Sequence, residues 1–402
     1  MANVEPPSKS SILIYAELLT NIRQITVKVS LPTPADQTTA AEILDDGRKF
    51  RVNHNGVTVE ASLPTSAPLK GPLPVSHKGS LELTWRLPLQ AARVPERQFL
   101  PENQPLPWSA VDIKPLSPVS CRACGAQFIK NEAVETWKDL PSENWAEMME
   151  FWHCHKPVEH HQPEDGHLEH RGYGAASAIT AQPGVGFVDI TSFLFAESDC
   201  SSIKFYSSKS AARFHDSDSA IKATLEEKFL SISCSNCAAD IGTYSVLAST
   251  VAFFKWQISC EVLSPQKAPS SSDCLVATLL STIARSGSSK SVVMPRNMTS
   301  TDKVSRHLQL WVLNNNVIFT SNNDTAAKAA VKVLFKEIEE KEALDLVESL
   351  SNDVQDINFP APAIQVARQT LTSSKYMLPP SERSFQEWQV GLLERWVPQP
   401  PA

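Results

Sequence analysis

Cys121-Arg122-Ala123-Cys124-Gly125 and Cys234-Ser235-Asn236-Cys237 are two Cys-x-x-Cys knuckles within one chain of 402 residues. The spacing lets two thiolates face one ion while neighbouring backbone N–H groups stabilise their charge, and two such knuckles complete a tetrahedral shell of four sulfurs. Gly125 stands where the first knuckle needs a tight turn. Residues 125 to 233 separate the pairs, so a shared ion joins the start of a long region to its end instead of closing a compact ribbon. Closing such a loop costs conformational entropy, which metal binding offsets with about 10–16 kcal/mol in small zinc peptides. The competing reading is two unrelated pairs of core or redox cysteines. A redox Cys-x-x-Cys belongs in a thioredoxin-like βαβ setting, which the flanking sequence lacks. The expectation is one structural Zn2+ held by Cys121, Cys124, Cys234 and Cys237. With no open position, such a site does not catalyse.

Working outward, the composition is that of a globular chain, 42% apolar and 20% charged. A net charge of -7 argues against a protein that coats nucleic acid, whose binding rests on neutralising phosphates. No apolar run approaches the ~20 residues of a membrane span. Met1-Ala2-Asn3-Val4-Glu5-Pro6-Pro7 lacks the basic and apolar blocks of a secretory signal. The eight cysteines are therefore expected in a reducing compartment, cytoplasmic and nuclear, where paired spacings read as metal ligands before disulfides. A monomer is expected, because no long apolar stripe is left over for self-association.

The rest of the chain reads as α+β: a β-rich, multi-strand body with a few helices, stapled by the four-cysteine site. Strands are expected at Ser11–Leu18, Ile25–Val29, Phe50–Val52, Leu81–Leu87 and Val251–Trp256, from β-branched, partly alternating sequence. Proline clusters mark a loop at Pro64–Pro74 and a semi-rigid connector from Val94 to Pro118. These features divide the chain into an N-terminal β-rich domain (1–105), a zinc-stapled central domain (106–262) and an α+β C-terminal domain (263–402). In the last, Cys274–Ala284 reads as a helix within a Ser-rich stretch. Leu308–Leu313 and Val317–Phe319 read as a hairpin turning at Asn314-Asn315-Asn316. Thr325–Leu350 reads as the best helix, with Val331, Leu334, Phe335 and Ile338 on one face.

A second helix is expected from Ser142, with Trp145, Met148, Met149 and Trp152 along one apolar face, ending before Pro157. It displays His153, Cys154 and His155 at its C-terminal end. A thiol beside an imidazole can bind a metal, act as a nucleophile, or enter a partner's metal site. A buried packing cysteine is the fourth alternative. Glycine-rich phosphate loops, a Gly-x-Ser-x-Gly elbow and a His-Glu-x-x-His motif are all missing from the sequence.

An ordered series then emerges. It runs Cys121-x-x-Cys124-Gly125, Trp137-x-Asp139-Leu140-Pro141-Ser142-x-x-Trp145, Trp152-x-Cys154-His155, Cys234-x-x-Cys237, Phe254-Lys255-Trp256 and Trp388-x-Val390-Gly391-x-Leu393. Over residues 10 to 395 this resembles the HECT-like ubiquitin-conjugating-enzyme-binding family. The resemblance implies a ubiquitin-protein transferase that binds a charged ubiquitin-conjugating enzyme and promotes transfer to substrates. It also implies an alternative, a non-catalytic chaperone or inhibitor of the zinc-dependent endonuclease of messenger-RNA 3'-end processing. HECT ligases carry their thioester cysteine near the C-terminus, whereas the last cysteine here is Cys274. The remaining candidates are Cys154, Cys200, Cys260 and Cys274, and Cys154 is the one flanked by histidines. Either function draws on Trp145, Met149, Trp152, Cys154 and His155 as the partner-binding set.

Overall fold

The computed structural model describes residues 11–76, 78–89, 104–140, 181–206, 229–295, 306–322, 324, 326–349 and 353–398. They form two compact units. One is drawn from the described residues of Met1–Gln104, Leu275–Arg296 and Val304–Val397, the other chiefly from those of Pro105–Cys274.

The first segment supplies β1 (Leu13–Leu19), β2 (Gln24–Ser30), β3 (Ala40–Leu44), β4 (Lys49–His54), β5 (Val57–Ser62), β6 (Gly71–Leu73) and β7 (Glu82–Pro88). Strand β7 alternates strictly, with Leu83, Trp85 and Leu87 inward and charged or polar residues outward. Between β4 and β5 the chain reverses at Asn55-Gly56, both with positive φ, which is the backbone a two-residue hairpin loop demands. Strands β5-β4-β3-β6 form a four-stranded sheet whose inner face shares one core with β1, β2 and β7. Phe50 lies against Trp85 at 5.2 Å there, beside Ile14, Val27 and Val52.

The middle segment supplies β8 (Val119–Cys121), β9 (Gln127–Ile129), β10 (Thr136–Asp139), β11 (Val185–Val188), β12 (Ser192–Ala196), β13 (Ile203–Tyr206), β14 (Phe229–Cys234), β15 (Asp240–Ser245), β16 (Thr250–Phe254) and β17 (Ile258–Cys260). A seven-stranded sheet runs β10-β11-β12-β16-β15-β14-β13, and a small sheet runs β17-β8-β9. Phe128 stacks on Phe253 at 5.0 Å, and Trp137 meets Phe193 and Phe195 edge-on, so aromatic rings fill this core. Residues 105–118, expected as part of a connector, belong to this unit. Trp108 and Ile113 are buried, Ile113 bridges to Val262, and the fully buried Lys255 ammonium donates to the Pro107 carbonyl at 2.7 Å. A buried ammonium has to find an acceptor, and the proline-rich stretch supplies it.

The last segment supplies α1 (Ser271–Ser286), β18 (Lys290–Pro295), β19 (His307–Ser321), β20 (Lys328–Ile338), α2 (Glu340–Glu348), β21 (Val354–Phe359), α3 (Ala361–Ser374), β22 (Ser384–Phe385) and β23 (Trp388–Glu394). The N-terminal end of α1 is closed reciprocally: the Asp273 carboxylate accepts from the Ser270 N–H, and the Ser270 hydroxyl accepts from the Asp273 N–H. The large sheet has nine strands. Seven follow the order β22-β23-β20-β19-β1-β2-β7, β18 also pairs with β19, and β21 lies parallel to β18. Because β1 pairs with β19, the expected N-terminal and C-terminal domains share one sheet and one compact unit.

Two local expectations are corrected. Thr325–Leu350 is not one helix: 328–338 is the strand β20, and only Glu340–Glu348 is helical. Strand β20 lies between β19 and β23, with Val331, Val333, Leu334 and Phe335 all buried. A strand covered on both faces reads as a continuous apolar run, which helical spacing also fits. The expected hairpin at Asn314–Asn316 is one long strand, β19. None of the three asparagines is among the residues with positive φ. The register with β20 slips by one residue between Val312 and Asn314 and again between Asn314 and Val317. The asparagines are absorbed as bulges where β19 passes from its pairing with β18 to its pairing with β1. Among the described residues, the predominance of strands with three α-helices agrees with the α+β expectation. Among the described residues, no helix is long and apolar enough to cross a membrane.

Candidate metal centre

The two knuckles are the same turn built twice. Strand β8 ends on Cys121, whose N–H donates to the Ala126 carbonyl at 2.8 Å, while the Gly125 N–H donates back to the Cys121 carbonyl at 2.9 Å. Strand β14 ends on Cys234, whose N–H donates to Ala239 at 2.9 Å, while the Ala238 N–H donates back to Cys234 at 2.9 Å. Both turns need a left-handed residue just after the second cysteine: Gly125 at φ +75° and Ala238 at φ +59°. Glycine adopts this without steric cost and alanine does not.

These turns bring four sulfurs from distant segments together. All four lie within 4.8 Å of one another. Cys121 approaches Cys237 at 3.7 Å, and Cys124 approaches Cys234 at 3.6 Å. A disulfide requires about 2.05 Å, and all four are free thiols. Four sulfurs about 2.3 Å from a common centre stand about 3.8 Å apart along a tetrahedral edge, close to the spacings found. The donor set therefore fits a single tetrahedral ion, and it contains no oxygen or nitrogen ligand. Such an ion closes the chain between residues 124 and 234 and leaves no position for a substrate.

The electrostatics point the same way. Asn236, inside the second knuckle, hydrogen-bonds the Cys124 sulfur and, with the Ala126 N–H, holds that thiol down to about 6. Burial pushes Cys121 up to about 12 against the opposing N–H groups of Cys124 and Ala123. At Cys237 the Ala239 N–H favours the thiolate most strongly of any single contact, but the Cys124 sulfur, burial and the Cys234 sulfur together oppose it and the pKa is raised. Sulfurs this crowded cannot all carry charge without a cation among them, and a bound metal deprotonates its thiols outright.

Arg122, between the two cysteines of the first knuckle, fastens the turn to the rest of the unit. Its guanidinium donates to the carbonyls of Ile258 at 2.9 Å, Pro269 at 2.8 Å and Lys255 at 2.7 Å, and lies over the Trp108 ring. Sequence reasoning missed Arg122, Asn236 and Ala238 as supporting residues. Superposing the two knuckles in the sequence would have found Ala238 opposite Gly125, but nothing local marked the acceptors of Arg122.

The other expected thiols are placed differently. Cys200 is half-buried, with its sulfur donating to the Ala196 carbonyl at 3.4 Å; Cys260 is half-buried and Cys274 is fully buried. Burial pushes each of the three up to about 12. Trp145, Met149, Trp152, Cys154 and His155 lie outside the described residues.

A family model described as HECT-like Ubiquitin-conjugating enzyme (E2)-binding matches residues 17–390 of the chain. Two curated relatives share short stretches. An uncharacterized protein of Schizosaccharomyces pombe is 39% identical over 54 residues, covering 12% of this chain and 15% of that protein. An uncharacterized protein of Saccharomyces cerevisiae is 41% identical over 39 residues, covering 10% of this chain and 11% of that protein. The matched stretches thus span well under two thirds of either relative. No solved structure matches.

Proposed function

The chain belongs to the HECT-like ubiquitin-conjugating-enzyme (E2)-binding family, and from that membership we propose that it binds a ubiquitin-conjugating enzyme and promotes transfer of ubiquitin to protein substrates. The observation that carries this reading is the extent of the family match, residues 17–390, which takes in segments of both compact units. Within this reading the four-cysteine centre holds a structural Zn2+, the ion suited to four thiolates in a closed tetrahedron. The ion supplies closure of unit architecture and no chemistry on ubiquitin.

The route of transfer is narrowed by the described thiols. Burial pushes the Cys200, Cys260 and Cys274 thiols up to about 12, which disfavours the thiolate that a transfer step needs, and each lies at least partly beneath the surface. The four ligand sulfurs are committed to the metal. On this reading a thioester step runs through Cys154, which the sequence places beside His153 and His155; otherwise ubiquitin passes directly from the conjugating enzyme to the substrate. The full chain incubated with a panel of charged conjugating enzymes is expected to retain at least one of them. A thiol-sensitive ubiquitin adduct that disappears in Cys154→Ser and persists in Cys200→Ser identifies the thioester route. Failure to retain any conjugating enzyme, charged or free, overturns the proposal.

A second reading is favoured by the scarcity of reactive thiols among the described residues. Here Trp145, Met149 and Trp152 present Cys154 and His155 as soft ligands to the metal site of the zinc-dependent endonuclease of messenger-RNA 3'-end processing. The protein then acts as its chaperone or inhibitor, in the cytoplasm and the nucleus. Co-purification and nuclease activity that are both unchanged by Cys154→Ser would remove this reading.

A further inference from the structure

We propose that the four-sulfur centre is also a modification site for a hydroperoxide, at which disulfides between the knuckles replace the metal as the staple. The inference rests on the reading that the centre holds Zn2+, and it concerns what the chain's own sulfurs do when that ion is displaced.

The four sulfurs are not equivalent. Cys121 and Cys234 are only 2% and 1% exposed, whereas Cys124 and Cys237 are exposed. An oxidant arriving from water meets Cys124 or Cys237 first. The contacts at 3.6 and 3.7 Å each join one exposed sulfur to one buried sulfur, and both run between knuckles: Cys124 to Cys234, and Cys237 to Cys121. Each exposed sulfur thus has a resolving partner on the opposite knuckle, poised next to it.

The steps balance as follows. The Cys124 thiolate attacks one oxygen of hydrogen peroxide. The O–O bond breaks, an S–O bond forms, and hydroxide leaves. The Cys234 thiolate then attacks the Cys124 sulfur, forming S–S and expelling a second hydroxide. Two sulfurs have lost two electrons, the peroxide has gained them, and two protons from solvent convert the hydroxides to water. The metal loses two donors and dissociates. A second peroxide oxidises Cys237, which Cys121 resolves. Each sulfur pair closes by about 1.6 Å to reach the disulfide length.

The choice of partner decides the consequence. Bridges within a knuckle, Cys121 to Cys124 and Cys234 to Cys237, would free the two knuckles from each other once the metal had gone. Bridges between knuckles keep β8 and β14 tied through the same residues, so the oxidised unit stays closed without its ion.

Trypsin separates the alternatives, because Arg122 lies between Cys121 and Cys124, whereas no lysine or arginine lies between Phe229 and Phe254. The full chain as purified is analysed for zinc, treated with hydrogen peroxide in the presence of a colorimetric chelator, digested without reduction and mapped by mass spectrometry. The expected result is release of the bound zinc, with peptides Gln98–Arg122 and Ala123–Lys130 each linked to Phe229–Lys255. The oxidised chain is also expected to keep a cooperative melt in EDTA, whereas the reduced chain loses it. Linkage of Gln98–Arg122 to Ala123–Lys130, or sulfinic and sulfonic acids without cross-links, overturns the proposal while leaving the zinc reading intact. Zinc that peroxide cannot displace does the same. Purified chain that contains no zinc overturns both.

Discussion

Exchanging the left-handed residues of the two knuckles tests the centre without touching a cysteine. Gly125 at φ +75° becomes alanine, and Ala238 at φ +59° becomes glycine. A Cβ built on Gly125 meets nothing within 4 Å, so the first substitution adds no clash and its cost is torsional. Ala238 is exposed, so removing its methyl sacrifices little packing. An L-residue in this region costs about 1–2 kcal/mol, and glycine's extra freedom in the unfolded chain returns about 0.4–1 of that. Gly125→Ala should therefore destabilise by about 0.5–1 kcal/mol and Ala238→Gly should stabilise by a similar amount. For a unit of this size each corresponds to about 1–4 °C in Tm. Calorimetry on the full chain reads it, with the transition of this unit identified as the one that EDTA shifts and zinc content matched between variants. The double exchange should return close to the starting value, since a Cβ at Gly125 touches nothing within 4 Å and Ala238 is exposed, so neither change alters a contact of the other turn. Were Gly125→Ala neutral, or Ala238→Gly destabilising at equal zinc content, the equivalence of the two turns would be wrong.

Further substitutions follow from buried charge. Arg122→Ala leaves three carbonyls without their donor and should cost about 2–4 kcal/mol by denaturant titration, and it should speed zinc loss to a chelator. In the other unit, Lys332 is mostly buried and donates to Glu17 at 3.0 Å and to Glu382 at 3.4 Å, while Lys28 also pairs with Glu382. Lys332→Ala leaves the buried Glu17 carboxylate without its ion-pair partner, with only the Tyr15 hydroxyl still donating to it, and should cost about 3–5 kcal/mol, whereas Lys332→Met paired with Glu17→Gln should recover much of that loss. Burial raises the Glu382 pKa, but Lys332 and Lys28 together hold it below the usual carboxylate range. Its contribution is therefore complete above the ordinary carboxylate value and lost as pH falls through the lower folded value. Acid titration of the wild type should show this loss, and Glu382→Gln should flatten it.

Much of the site was legible as residue types. The Cys-x-x-Cys pairs and Gly125 are local patterns whose chemistry does not depend on what surrounds them, and the four sulfurs converge as the spacing implied. Strands β1, β2, β4, β7 and β16 were equally readable, because β-branched runs and alternation are local too. What failed were segments where two periods fit the same letters. Val331, Leu334, Phe335 and Ile338 satisfy a helix as well as a strand buried on both faces. The asparagines at 314–316 satisfy a hairpin as well as a bulge.

The sequence by itself determined the donor set, the turn residue that shapes the first knuckle, and the membership of the chain in its family. Only the tertiary structure decided that β1 closes onto β19, that Arg122 ties the knuckle down through three carbonyls, and that Cys200, Cys260 and Cys274 are buried or half-buried, which raises their pKa. The physical reason is range. Ligand chemistry and turn torsions are set within a few residues, whereas strand pairing, desolvation and the partners of a buried charge are set by residues brought together from far along the chain.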